Sequence, residues 1–254
     1  MVKTPTERFS HTVENYVKYR PSYPSEVVEL LQEKCSLTGH SKVADIGSGT
    51  GIFTKLLLEQ GCEVYGVEPN REMAQAAEQY LSAFPRFISI NAPAEHTNLS
   101  DQSVDLIIAA QAFHWFDLPK VKREFLRILK PQGFVVLIWN LRLRNSGIMQ
   151  AYDALLQKFG TDYKDVCANN NITDDVIRDF CAPNPVEIVF LPNKQMMNWE
   201  ELKGRLLSTS YVPKPGDNHY DEMLIAAEKM FNDHQQQGQI NFDYETKIYI
   251  SSLT

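Results

Sequence analysis

Three things are scarce in this sequence. Positive charge is one: 25 Lys and Arg stand against 32 Asp and Glu, a formal net charge of -7. A chain of that sign has no global field to draw in phosphate backbones, so nucleic acid is not the expected partner. Cysteine is another. Cys35, Cys62, Cys167 and Cys181 are scattered, with no C-x-x-C pair, which argues against a disulfide framework or a cysteine metal site and for a reducing, cytoplasmic setting. Long apolar runs are the third. None reaches the roughly 20 residues a membrane-spanning helix needs, and the first residues lack the basic-then-apolar form of a signal peptide. No repeat or low-complexity tract occurs beyond a short glutamine patch at 235–239, and no metal site is expected.

What is present is a regular alternation. The 254 residues are 43% hydrophobic and 22% charged, enough for one large domain with a sizeable core. Behind Ser25, a candidate N-cap, Val27, Val28, Leu30 and Leu31 recur at helical spacing. From Lys42 the pattern runs strand "KVADIG", helix 50–60, strand "CEVYGVEP", helix 70–83, strand "RFISINA", strand "VDLIIAAQ", helix 119–129 and strand "GFVVLIWNL". Strands alternating with helices predict an α/β fold with a Rossmann-like, doubly wound, mostly parallel sheet and helices on both faces. Past Asn145 the rhythm breaks into "GIMQAYDALLQKFG" and "TDDVIRDFC", read as a helical cap inserted at 145–185. The core is then expected at 36–144 and 186–254, with an N-terminal lid at 1–35. "NWEELKGRLLSTS" reads as a helix capped by Asn198, "HYDEMLIAAEKMFNDH" as another, and "YETKIYISSL" as a closing strand.

The turn in "VADIGSGTGIFT" carries Gly47, Gly49 and Gly51, with Ser48 between the first two. A strand, a glycine turn and a helix start together make an anion cradle. Two details oppose a dinucleotide: Ile52 stands where G-x-G-x-x-G needs its third glycine, and Asp45 puts a carboxylate beside the pyrophosphate position. A ligand with a positive group and a ribose diol fits better, the diol calling for an acceptor at the end of the next strand, where Glu68 stands. The spacing alone leaves an NAD-dependent oxidoreductase as the disfavoured alternative.

With "VADIGSGTG", "VYGVEPN", "NAPAEHTNLSDQSVDLIIAAQAFHWFD" and "LRILKPQGFVVLIWN" in that order, the chain resembles the class I S-adenosylmethionine (SAM)-dependent methyltransferases. "RFSHTVENYVKYRPSYPSEVVELL" and "AQAFHWFD" are similar to the trans-aconitate methyltransferase branch. The resemblance implies SAM as cofactor and a seven-stranded sheet. It implies that Gly47, Gly49 and Gly51 pass close to the methionine moiety, with Asp45 orienting its ammonium, and that Glu68 accepts both ribose hydroxyls. Pro69 and Asn70 would line the adenine, Ala94 and Glu95 would lie near its edge, and Gln111 would face the methionine moiety or the reacting centre. Tyr16 and Arg20 would fold over as part of the lid, Arg20 reaching the SAM carboxylate.

Acceptor residues are read more openly. His114 is either a catalytic or substrate-contacting imidazole or a hydrogen-bonded structural one. Trp115 shapes the pocket. Arg142 and Arg144 either grip a carboxylate through their forks or are solvated. Trp199, Ser208 and Tyr211 are packing residues by default, or substrate contacts. The stretch after the fourth strand reads "AQAFHW", without the Asn/Asp-Pro-Pro-aromatic motif of amino-methylating nucleic-acid enzymes. A small-molecule acceptor, a carboxylic acid or similar metabolite, is the expected substrate, and a non-catalytic SAM-binding protein is the alternative.

Overall fold

The computed structural model describes residues 19–161, 163, 172–209 and 211–253. Tyr16 lies outside them. Seven strands form one sheet: β1 (Lys42–Ile46), β2 (Glu63–Val67), β3 (Phe87–Ile90), β4 (Val104–Ala110), β5 (Leu129–Arg142), β6 (Glu187–Met197) and β7 (Ile240–Ser252). Their order is β3-β2-β1-β4-β5-β7-β6. The first five are parallel, and β7 runs antiparallel to both β5 and β6. The order reverses direction between β1 and β4, which opens a crevice outside the carboxyl ends of those strands.

The central strands β1 and β4 and the middle of β5 are apolar over most of their length because both faces of the sheet are covered there. In β1, Val43 points to the side packed by α1 (Glu26–Cys35) and α2 (Ile52–Glu59), against Val27, Leu31 and Leu57. Ala44 and Ile46 share the opposite face with Val121, Phe125 and Ile128 of α4 (Leu118–Ile128). The helix α3 (Arg71–Tyr80) follows β2 and is capped by Asn70, whose Oδ1 accepts from the amides of Glu72 and Met73. Asn198 caps as expected, in a reciprocal box with Glu201 at the start of α7 (Trp199–Leu207). Ser25 does not cap α1. Its backbone is already helical and its side chain makes no capping bond, because the Pro24 and Ser25 carbonyls accept from Val27 and Val28 in a tight first turn.

The helices after β5 are grouped differently from the expected insert. β7 pairs with β5 as far as Arg142↔Tyr244, and the antiparallel β6–β7 pair continues to Met197↔Ile240, overhanging the end of the sheet. On this overhang α5 (Gly147–Phe159), α7 and α8 (Tyr220–His234) build a separate core from Met149, Leu156, Leu202, Leu206, Ala227 and Phe242. The cap therefore draws on residues 147–159 and 199–234 together. In contrast α6 (Asp174–Cys181) packs on the sheet, with the Phe180 ring edge-on to Phe113 at 4.8 Å. Part of the lid expected at 1–35 is a core helix. α1 buries Val27, Val28 and Leu31 in the sheet core, which leaves 19–24 as the described part of the N-terminal segment at the crevice. Side-chain amides tie it down: Gln195 donates to the Tyr19 carbonyl (3.1 Å), and Asn193 and Asn140 to that of Ser22 (2.9 and 3.2 Å).

Candidate functional site

One cavity of about 530 Å³ opens at the carboxyl ends of β1, β2, β4 and β5. Of the residues singled out in the sequence, Arg20, Asp45, Gly47, Ser48, Gly49, Glu68, Pro69, Asn70, Gln111, His114, Trp115, Arg142, Arg144 and Tyr211 line it. The parallel strands bring most of these together, since each loop follows a strand on the same edge of the sheet.

The glycines divide the work at the turn. Gly49 adopts φ +58, and a Cβ there would meet nothing within 4 Å, so its backbone faces open cavity. Gly51, at φ +83, does not line the cavity: a Cβ on it would come within 2.7 Å of Leu81 Cδ1. Its place is in packing the start of α2 against the end of α3, not at a ligand. Gly51→Ala is expected to cost about 1–3 kcal/mol of stability through strained φ and that contact, read as a lower urea midpoint with ligand affinity of the folded protein unchanged.

Two carboxylates are buried at this end of the cavity. Asp45 is 1% exposed; Thr54 donates to its Oδ2 at 2.6 Å, while Oδ1 has no partner among the described residues. Burial pushes its carboxyl up to about 7, the Thr54 bond pulling down and the charge of Glu68 adding to the rise. Glu68 is 7% exposed. Its Oε2 accepts from the Gly49 amide (3.0 Å) and Oε1 from the Asn70 amide (2.8 Å), which hold the acid across the mouth of the glycine turn. Burial raises its pKa against those two donors. The Thr50 hydroxyl is a further buried polar atom without a partner among the described residues. A buried carboxylate oxygen in need of a donor fits an ammonium and repels a pyrophosphate. The residues at this end thus suit SAM, whose amino group and ribose diol are donors.

Gln111 sits after β4 at φ +59, an uncommon conformation for a side-chain-bearing residue. Its Nε2 donates to the Asn140 carbonyl at 3.3 Å, linking the ends of β4 and β5. His114 lies in a short turn (Phe113–Trp115), its ring 4.7 Å from that of Trp115. Burial lowers its pKa to about 4, so the imidazole is neutral at pH 7. Arg20 donates from Nη2 to the Ser208 carbonyl at 3.2 Å.

Besides Gly51, four expected contacts lie elsewhere. Ala94 is buried in the sheet core, and Glu95 Oε1 accepts from the Asp117 amide at the start of α4. Their loop is anchored by Glu124, whose Oε1 accepts from both the amide and the hydroxyl of Thr97. Trp199 packs on Phe231 in the cap core, at 5.9 Å between rings. Ser208 is buried and its hydroxyl donates to the Arg205 carbonyl, so only its backbone carbonyl turns to the Arg20 side. The cavity also has walls that the sequence reading did not single out: Thr50, Trp139, Asn140, Tyr163, Arg205 and Tyr244 among them.

The far wall is cationic. Arg142 donates to the Tyr163 hydroxyl (2.8 Å) and pairs with Asp153 (3.4 Å), which Arg144 also reaches (3.1 Å). Among the described residues no cluster of His, Cys, Asp and Glu is arranged to hold a metal, and no helix is long and apolar enough to cross a membrane.

Comparison with known proteins follows the same division. A family described as a methyltransferase domain matches residues 44–137, which ends before the cationic wall. An uncharacterized methyltransferase of Mycobacterium tuberculosis is 33% identical over 157 residues, 62% of each chain. One from Schizosaccharomyces pombe is 31% identical over 151 residues, 59% of each. The matched region thus spans 62% and 59% of the length of these relatives. A structure assigned as a type II methyltransferase of Anaeromyxobacter dehalogenans superposes with a TM-score of 0.65 at 24% identity, covering 92% of this chain and 97% of that one. A phosphoethanolamine N-methyltransferase of Haemonchus contortus, solved with SAM, gives 0.57 at 15% identity over 98% of this chain and 57% of that one. At those identities the likeness is one of fold, and it agrees with the strand order and crevice seen here. With the glycine turn and the acid after β2, residues 44–137 match a methyltransferase domain, and the chain has the seven-stranded Rossmann-like fold of the methyltransferase structures it is similar to.

Proposed function

We propose that this protein transfers the methyl group of SAM to a small-molecule acceptor, a carboxylic acid or similar metabolite. The observation that carries the reading is a single cavity with two ends of opposite character. Asp45 and Glu68 stand at one, and arginines and tyrosines at the other. When bound, SAM supplies a methyl group on a sulfonium that an acceptor displaces in line, and the departing thioether needs no proton. The protein's task is then alignment and exclusion of water.

In this reading Asp45 Oδ1 takes the ammonium and the remaining lone pairs of Glu68 take the ribose hydroxyls. Pro69 and the backbone of Asn70 face the adenine, since the Asn70 side chain is committed to capping α3. Gln111, fixed by its bond to Asn140, borders the reacting centre, and Arg20 is placed for the SAM carboxylate. The 19–24 segment, held by three side-chain amides, keeps water out. A carboxylate acceptor is already an anion at neutral pH and needs no general base. For a phenol or amine, neutral His114 is the group at hand to hold the proton. Two buried carboxylates on the cavity floor and the acidic chain favour a small molecule over nucleic acid, and the free thiols of Cys35, Cys62 and Cys181 suit a reducing cytoplasm.

The test is calorimetric titration with S-adenosylhomocysteine and with NAD on one preparation, followed by transfer of labelled methyl from SAM to a panel of carboxylic acids. Saturable binding of the first ligand alone, and label recovered in esters, is the expected result. NAD binding in its place would make the turn a dinucleotide site.

A further inference from the structure

Arg205 projects from α7 into the cap and lines the cavity. It is 6% exposed, and its Nε and Nη1 have no hydrogen-bond partner among the described residues. Tyr244, on β7, is 3% exposed and lines the same cavity, its hydroxyl turned to the Arg205 guanidinium without a well-formed hydrogen bond to any described residue. The two neighbouring arginines differ, since Arg142 and Arg144 share the carboxylate of Asp153. No carboxylate among the described residues pairs with Arg205; the phenols of Tyr244, Tyr152 and Tyr211 surround it.

A guanidinium taken out of water costs several kcal/mol unless it is paired and bonded. Phenol oxygens offset part of that cost by their dipoles, but they supply no opposite charge. The same wall holds three arginines against one aspartate, a local surplus of positive charge in a chain whose net charge is -7. Each edge of a guanidinium matches the two oxygens of a carboxylate or a phosphate, Nε and Nη1 belong one to each edge with Nη2 shared between them, and an adjacent hydroxyl adds a further bond to the same group.

We propose that Arg205 and Tyr244 form an anion subsite in the acceptor end of the cavity, holding a carboxylate or phosphate group of the acceptor. The proposal rests on the methyl-transfer reading for what the anion belongs to, but not for its existence. Oxygens bonded to a guanidinium and a phenol have their lone pairs engaged and are poor nucleophiles. The atom that receives the methyl group is therefore a different one, and the acceptor carries at least two functional groups. Neither Arg205 nor Tyr244 touches the reacting atoms in this scheme; they set specificity and position.

Calorimetry with succinate, with neutral succinamide and with inorganic phosphate tests it, each run with and without saturating S-adenosylhomocysteine. The proteins are wild type, Arg205→Gln, Arg205→Lys and Tyr244→Phe. Wild type is expected to bind succinate or phosphate, whichever is tighter naming the head group, and to ignore succinamide. Arg205→Gln should weaken that anion at least tenfold, Tyr244→Phe several-fold, and Arg205→Lys should keep part of the affinity, with S-adenosylhomocysteine binding as in wild type. Should Arg205→Gln fail to fold, the lysine and phenylalanine variants carry the test, because both keep most of the volume. Anion binding that is absent, or equal in wild type and all variants, overturns the subsite even if S-adenosylhomocysteine binds. The opposite pattern, an Arg205-dependent anion with no S-adenosylhomocysteine binding, keeps the subsite and removes the methyltransferase reading.

Discussion

Replacing Glu68 with alanine is expected to weaken S-adenosylhomocysteine binding about 10- to 150-fold. The figure follows from the loss of two hydroxyl bonds to a charged acceptor, together worth about 1.5–3 kcal/mol. The structure adds a second consequence. The same carboxylate accepts the Gly49 and Asn70 amides, so its removal also leaves the glycine turn without a buried acceptor. Alanine should then lower the thermal midpoint of the ligand-free protein. Glu68→Gln retains one acceptor oxygen and the side-chain volume, and should recover much of the stability but only part of the affinity. Calorimetry and thermal melts on the two variants separate these roles. An affinity loss below twofold in Glu68→Ala would remove the residue from the cofactor site.

The second large effect is on pH. A carboxyl raised from its ordinary value to about 7 in the folded protein, as in Asp45, gives stability that is full below the unfolded pKa near 4 and is lost as pH rises through 7. Ligand-free protein should therefore become less stable from pH 5 to pH 8 by the contribution of this group. An ammonium ligand reverses the preference, because it needs the ionised form. Affinity for S-adenosylhomocysteine should rise with pH and level off above 7, being about thirtyfold weaker at pH 5.5 than on the plateau, close to tenfold per unit. The two slopes have opposite signs, an unusual signature that Asp45→Asn should flatten in both measurements. Affinity that is level across this range in wild type would mean that Asp45 does not meet the ammonium.

How much of this was legible in the sequence depended on how far apart the partners lie along the chain. Asp45, the glycine turn and Glu68 fall within 24 positions, on two adjacent strands, so their meeting follows from one strand-helix-strand unit. Asn198 was legible as a cap because its partner Glu201 is three residues away. Ala94 and Glu95 were misplaced because what anchors their loop is Glu124, 27 residues from Thr97. Arg205 is the clearest case. In "LKGRLLSTS" an arginine before two leucines reads as the solvated side of a helix. Its burial comes from the overhang of β6 and β7 and from α5 and α8 closing around α7, contacts that no local pattern encodes. The order of the sheet beyond β5 was likewise not derivable from the strand pattern, which does not say that the last strand enters between β5 and β6.

The cavity described above is built from two stretches of chain that hardly mix. Apart from the 19–24 segment, its carboxylate end comes from residues 45–116 and its cationic end from residues 139–244. On the proposed methyl-transfer reading, substitutions in the second stretch can redraw the acceptor chamber while the first stays intact. A lineage can change what it methylates without relearning how to hold the methyl donor. Likeness confined to the first stretch is inherited chemistry of the donor alone, and two such proteins can share every residue around Glu68 and still serve unrelated acceptors.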